Sequence, residues 1–150
     1  MDYELFMREA LEIATEDANE VPVGALLVKD GMVIAKAHNQ REGADQNPLA
    51  HAEILVMQQA SQKLGTRRLS GCTLFVTLEP CPMCAGAMVM AGLEQCVFGA
   101  FDEKQGCCGS VYDLTQDENF FHHVRCIGGI LENEAKMQLQ TFFQKKRSYR

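Results

Sequence analysis

The 150-residue chain predicts one α/β domain, residues 1–150, with a mixed sheet covered by helices on both faces. Three observations lead there. Apolar residues switch between helical and strand spacing in the order α-β-β-α-β-α-β-(β)-α. The length suits a single hydrophobic core, and no repeat, linker or low-complexity segment divides it.

Asp2 can cap a helix over residues 3–17, where Phe6, Ala10 and Ile13 recur at helical spacing. VGALLVKDGMVIAKAHN then gives two β-rich runs around Asp30-Gly31, a dipeptide suited to a tight hairpin, so residues 23–38 read as antiparallel strands. Residues 40–48 are polar and loop-like, and AHAEILVMQQASQKLG reads as a helix stopped by Gly65. CTLFVTL, residues 72–78, is a short buried strand, and PMCAGAMVMAGL, apolar or small all round, is expected to be a buried helix. QCVFGA gives another strand at 95–100, VRCIGGIL a last one, and ENEAKMQLQTFFQKKR a closing helix.

Net charge is −6, which taken alone argues against a nucleic-acid partner. The last six residues, KKRSYR, nevertheless hold four of the 14 basic groups, leaving 10 basic against 20 acidic residues before them. That tail suits either a solvated helix end or a binding patch. Acids stand near the N-terminus where a signal peptide would carry basic residues, and the longest apolar run, Cys84 to Leu93, is too short to span a bilayer. A cytoplasmic protein without a membrane partner is expected, with its seven cysteines reduced.

Chemistry concentrates in two phrases. In EPCPMC, Pro80 and Pro82 hold Cys81 extended at a helix start and place Cys84 in the first turn. Both sulfurs can then face one point before the helix, where the dipole favours thiolate. A redox dithiol, half a metal site and two buried small hydrophobes all fit this pair alone. AHAE, which opens the preceding helix, adds His51 and Glu53. If the two helix starts converge, His51, Cys81 and Cys84 make a neutral His/Cys/Cys zinc site, leaving Glu53 to take a proton from a zinc-activated water. Cys72, Cys96 and Cys126 read as core, while Cys107-Cys108 and His122-His123 lie in loops without an assigned task.

H-A-E followed by P-C-P-M-C resembles the zinc nucleobase deaminases, a cytidine-deaminase-like superfamily. EVPVGALLV, Asn39, CVFGA, DEKQG and the terminal FFQKKR further resemble its bacterial tRNA adenosine deaminase branch. Leu49, before A-H-A-E, departs from the threonine common in that branch. The resemblance implies a three-layer α/β/α fold around a mixed five-stranded sheet. It implies one zinc per chain on His51, Cys81 and Cys84, with Glu53 as proton shuttle in converting wobble adenosine to inosine in a tRNA, tRNA-Arg by preference. Asn39 would contact the flipped nucleoside, and Asp102, Lys104, Phe142, Phe143, Lys145 and Lys146 the neighbouring anticodon nucleotides. At least one of Phe142 and Phe143 is expected to pack inward. A homodimer reached by the tRNA on both subunits is implied as well. The rivals are a free-base or nucleoside deaminase such as guanine deaminase, and a thiol-disulfide oxidoreductase using Cys81 and Cys84.

Overall fold

The computed structural model describes residues 1–148; Tyr149 and Arg150 of the basic tail lie outside the described residues. A five-stranded sheet carries helices on both faces. Its strands are β1 (Gly24–Lys29), β2 (Met32–His38), β3 (Cys72–Leu78), β4 (Gln95–Ala100) and β5 (Arg125–Ile127), in the order β2-β1-β3-β4-β5. β1 runs antiparallel to β2 and β3, while β3, β4 and β5 are parallel, which makes the sheet mixed as expected.

The hairpin forms where Asp30-Gly31 predicts it. Both residues adopt positive φ, 51° and 75°, the handedness that matches strand twist in a two-residue turn. Register slips between Leu27 and Val28, leaving Ile34 as the extra residue of a bulge.

Strand alternation divides the core in two. Leu26, Val28, Phe75 and Val97 face α1 (Tyr3–Ala14) and Ala135 of α4 (Glu132–Ser148). Ala25, Leu27, Leu74, Val76 and Phe98 face α2 (Ala52–Leu64) and α3 (Pro82–Met90). Each side thus buries aliphatic and aromatic surface that stabilises by roughly 25 cal/mol per Å² removed from water.

Three boundaries differ from the sequence reading. α1 ends at Ala14 rather than Asp17, with Thr15 as its C-cap, because Glu16 and Asp17 would place anionic side chains at the negative end of the dipole. β5 spans three residues, since Gly129 (φ 90°) and Leu131 (φ 54°) turn the chain away from the ladder. α3 stops at Met90, and it is not buried all round: Met90 is 75% exposed while Cys84, Ala85, Met88 and Val89 are buried. Apolar residues on every face therefore report one face on the sheet and another left open. Among the described residues no helix is long and apolar enough to cross a membrane.

Candidate active site

Two helix N-termini meet at the C-terminal edge of β3, the place where α/β sheets bind ligands. Cys81 is the N-cap of α3 with extended backbone (φ −74°, ψ 177°), and Pro82 opens the helix. His51 is the N-cap of α2, also extended (φ −72°, ψ 147°). Neither side chain caps its own helix. The Ala52 N–H of α2 instead donates to Asn39 Oδ1 at 2.9 Å, which leaves the His51 ring free to point past the helix end.

The ring points at the two thiols. His51 Nδ1 lies 3.7 Å from Cys81 Sγ and 3.6 Å from Cys84 Sγ, and the three donor atoms all fall within 4.8 Å of one another. Zinc bonds of about 2.3 Å to sulfur and about 2.0 Å to nitrogen, at tetrahedral angles, set an S···N separation of about 3.6 Å. The donor set and its spacing fit such an ion. Glu53, buried beside this group, has no hydrogen-bond partner at Oε1.

Protons crowd the cluster. Hydrogen bonding from Cys84, and then from His51, draws the Cys81 thiol down to about 4. The Cys84 thiol is pushed up by its hydrogen bond to Cys81 and by burial, and His51 is raised by its hydrogen bond to Cys81. Burial lifts Glu53 to about 7, a value suited to taking up and returning a proton near neutral pH. A cation arriving among these donors would displace their protons, as zinc binding to thiols requires.

A cavity of about 160 Å³ opens above His51 and Glu53, bounded by Val23, Asn39, Arg41, Asp102, Gln105 and Phe143. A second, of about 470 Å³, adjoins it along His51, Cys81, Lys104, Cys107 and Tyr112. Asn39, Asp102, Lys104 and Phe143 thus come together around the His/Cys/Cys group. Phe142, Lys145 and Lys146 do not; they lie along α4 outside both cavities. Phe142 is half-buried and packs edge-to-face on the exposed Phe143, centroids 5.3 Å apart, with Lys146 Nζ 5.8 Å from its ring. His122 and His123 bind backbone carbonyls, of Leu93 at 2.7 Å and Asp117 at 3.1 Å, and lie outside the cavities as well. A larger cleft of about 610 Å³ between α1 and α4, along Leu11 and Met137, holds none of the expected site residues.

Sequence reasoning missed two buried carboxylates that build the walls. Glu79, in the turn after β3, accepts from the backbone N–H groups of Asp102 (3.0 Å), Cys108 (3.1 Å) and Ser110 (3.0 Å) and from the Ser110 hydroxyl. Gly106 packs against its carboxyl so closely that a Cβ there would collide with it. Glu20 accepts from Arg41 N–H at 2.9 Å and Glu42 N–H at 2.7 Å, fastening the loop that brings Arg41 to the cavity. A glutamate directly before Pro-Cys is the one local feature that could have drawn attention to Glu79, and by itself it names no partner.

Comparison with known proteins agrees with this geometry. The model of the MafB19-like deaminases matches residues 1–147. The tRNA-specific adenosine deaminase of Bacillus subtilis (strain 168) is 51% identical over 146 residues, covering 96% of this chain and 90% of that one. A solved structure from studies of A-to-I editing by tRNA:A34 deaminases at the wobble position superposes with a TM-score of 0.84 at 39% identity, covering 90% of this chain and 99% of that one. The guanine deaminase of Nitrosomonas europaea is more distant, with a TM-score of 0.76 at 26% identity, covering 93% and 83%. Nearly the whole chain enters each match, and the fold they share is the three-layer deaminase sandwich around a mixed five-stranded sheet. By sequence and by fold this chain belongs to the deaminases, in the family of the tRNA-specific adenosine deaminases.

Proposed function

We propose that this chain hydrolyses adenosine to inosine at the first anticodon base of a tRNA, tRNA-Arg by preference, with one zinc ion per chain held by His51, Cys81 and Cys84. The observation that carries the reading is the meeting of those three donors beside a buried Glu53 whose Oε1 has no partner. A zinc ion held by His51, Cys81 and Cys84 would lower the pKa of a water toward about 7. Glu53 would take a proton from water on its carboxylate, hand it to N1 of adenine, and carry the second proton to the departing amine. The balance is adenosine and water to inosine and ammonia.

The remaining residues bind and orient. Asn39 has its carbonyl oxygen engaged by α2, so its amide N–H₂ serves the flipped nucleoside. Asp102 holds the 104–105 turn by accepting from Lys104 and Gln105 N–H groups at 3.0 and 3.1 Å, and with Lys104 and Phe143 it meets the neighbouring nucleotides. Phe142, Lys145 and Lys146 extend this along α4, where cations and aromatic faces suit a single-stranded anticodon loop. Residues 1–150 work as one domain, in the cytoplasm. The open Met90 face of α3, with Ile54 and Met57 of α2 beside it, supports pairing with a second copy.

Guanine deaminase is the rival with a solved structural likeness. Ammonia release is to be followed at equal concentrations of a tRNA-Arg anticodon stem-loop, free adenosine and guanine. Release from the stem-loop well above the other two is expected, and faster release from guanine contradicts the reading.

A further inference from the structure

Arg41 stands in the wall of the catalytic cavity without a counter-charge. Its side chain lines the space of about 160 Å³ together with His51 and Glu53. The residue is half-buried, and its Nε, closed off from solvent, has no hydrogen-bond partner among the described residues. The ion pairs of those residues are Lys36–Glu9 and Lys136–Glu132, so no carboxylate neutralises the guanidinium.

The acids that could do so are engaged elsewhere. Glu20 commits both carboxylate oxygens to the backbone N–H groups of Arg41 and Glu42. Glu79 takes its donors from Asp102, Cys108 and Ser110, and Asp102 Oδ1 accepts from the Lys104 and Gln105 N–H groups. Glu53 shares the cavity and forms no ion pair with Arg41 either. A zinc ion on His51, Cys81 and Cys84 would complete a neutral set and supply no anion.

The backbone nevertheless fixes Arg41 in this wall. Asn39 N–H donates to Val23 O at 3.1 Å, Gln40 N–H to Ala50 O at 2.9 Å, and Arg41 N–H to Glu20 Oε1 at 2.9 Å, three bonds from successive residues. A partly desolvated cation with an unpaired N–H lowers stability, and a fold that holds one firmly beside its reaction cavity leaves it for a ligand to complete.

We propose that Arg41 binds a phosphodiester flanking the target adenosine, and so selects a nucleotide within an RNA strand over a free base or nucleoside. Adenine and ribose are neutral, so the only anions a flipped nucleotide brings to this wall are the phosphates on its 5′ and 3′ sides. A guanidinium offers parallel N–H groups to two phosphate oxygens, a match that free adenosine or guanine cannot make. The inference rests on the deaminase reading and names the group by which that site tells its substrate from guanine.

The test measures binding of a fluorescein-labelled tRNA-Arg anticodon stem-loop, carrying the wobble adenosine, to zinc-loaded Glu53→Gln protein with and without Arg41→Gln. Loss of one charge-assisted contact is expected to weaken binding about 10- to 100-fold and to flatten the slope of log affinity against log salt by about 0.7. Stem-loops with a neutral methylphosphonate in place of the 5′ or the 3′ phosphate of that adenosine complete a double-substitution cycle. At one of the two positions the methylphosphonate and Arg41→Gln should together weaken binding no more than either does alone. Additive losses at both positions overturn the proposal, and so does equal coupling at a phosphate remote from the adenosine. Arg41→Lys, which keeps the charge and loses the fork, should restore the salt slope and only part of the affinity. Tm should stay near the parent's in both variants, because the side chain has no partner in the fold to lose; a large fall would make Arg41 a structural residue instead.

With Glu53 intact, Arg41→Gln should lower kcat/KM on the stem-loop about tenfold more than on free adenosine. Equal losses overturn the proposal. Faster turnover of adenosine 5′-monophosphate than of the stem-loop, abolished in Arg41→Gln, would assign the guanidinium to a free nucleotide and overturn it too. Coupling at a flanking phosphate without inosine from any substrate would sink the deaminase reading and leave the contact standing. Inosine without coupling would sink the contact alone.

Discussion

His51 Nδ1 stands 3.7 Å from Cys81 Sγ although the residues are 30 apart in the chain and occupy the N-cap positions of different helices. The sheet brings them together: α2 and α3 pack on the same face, through Val56 and Met88, and both begin near the end of β3. The site is therefore a property of the assembled layer, and its metal should be bound only by the folded chain.

Replacing a ligand should remove the metal and loosen the fold. Cys81→Ser is expected to cut bound zinc from about one per chain to about a tenth of that, read by elemental analysis. Loss of a ligand present at about 100 times its Kd costs about 2.7 kcal/mol, which lowers Tm by about 5–10 °C in a chain of this size. A strong chelator should lower the parent's Tm by a similar amount and leave that of Cys81→Ser unchanged.

Glu53→Gln keeps the shape of the side chain and removes its ability to accept a proton. Zinc content and Tm should stay at the parent's level while kcat falls by about 10²–10⁴, with KM changed far less. A variant that loses its zinc would mark Glu53 as a ligand instead.

Glu79→Ala leaves the N–H groups of Asp102, Cys108 and Ser110 without their acceptor. Unpaired buried donors cost about 1–3 kcal/mol each, part of which water recovers, so a loss of about 3 kcal/mol in urea unfolding is expected. Amide exchange at Cys108 and Ser110 should accelerate, and KM for the stem-loop should rise because Lys104 and Gln105 are on the same loop. Unchanged exchange at those amides would contradict the bracing role.

Removal of residues 145–150 takes away four cations. Deamination of an anticodon stem-loop should suffer far more than that of free adenosine. The slope of log affinity against log salt should flatten by up to about 3, at about 0.7 per single-strand phosphate contact. Equal loss on both substrates would count against an RNA role for the tail.

The sequence is legible wherever local chemistry decides. Asp30-Gly31 marks the hairpin because few residues tolerate two positive φ angles, and Pro82 marks the start of α3 because proline suits the first helical position. The zinc donors are legible because their residue types are restrictive and both phrases open helices. Glu79 and Glu20 were not, since a glutamate becomes a loop brace only when backbone amides from 21 to 31 residues away arrive around it. The exposed side of α3 shows the reverse case, where apolar residues all round indicate two packing surfaces as readily as burial.

The most direct measurement incubates the zinc-loaded chain with a tRNA-Arg transcript carrying adenosine at the wobble position and reads every adenosine for conversion. Inosine at that base alone, with none formed by Glu53→Gln, is the predicted result. An unchanged transcript, with ammonia released from guanine by the same preparation, would contradict the account.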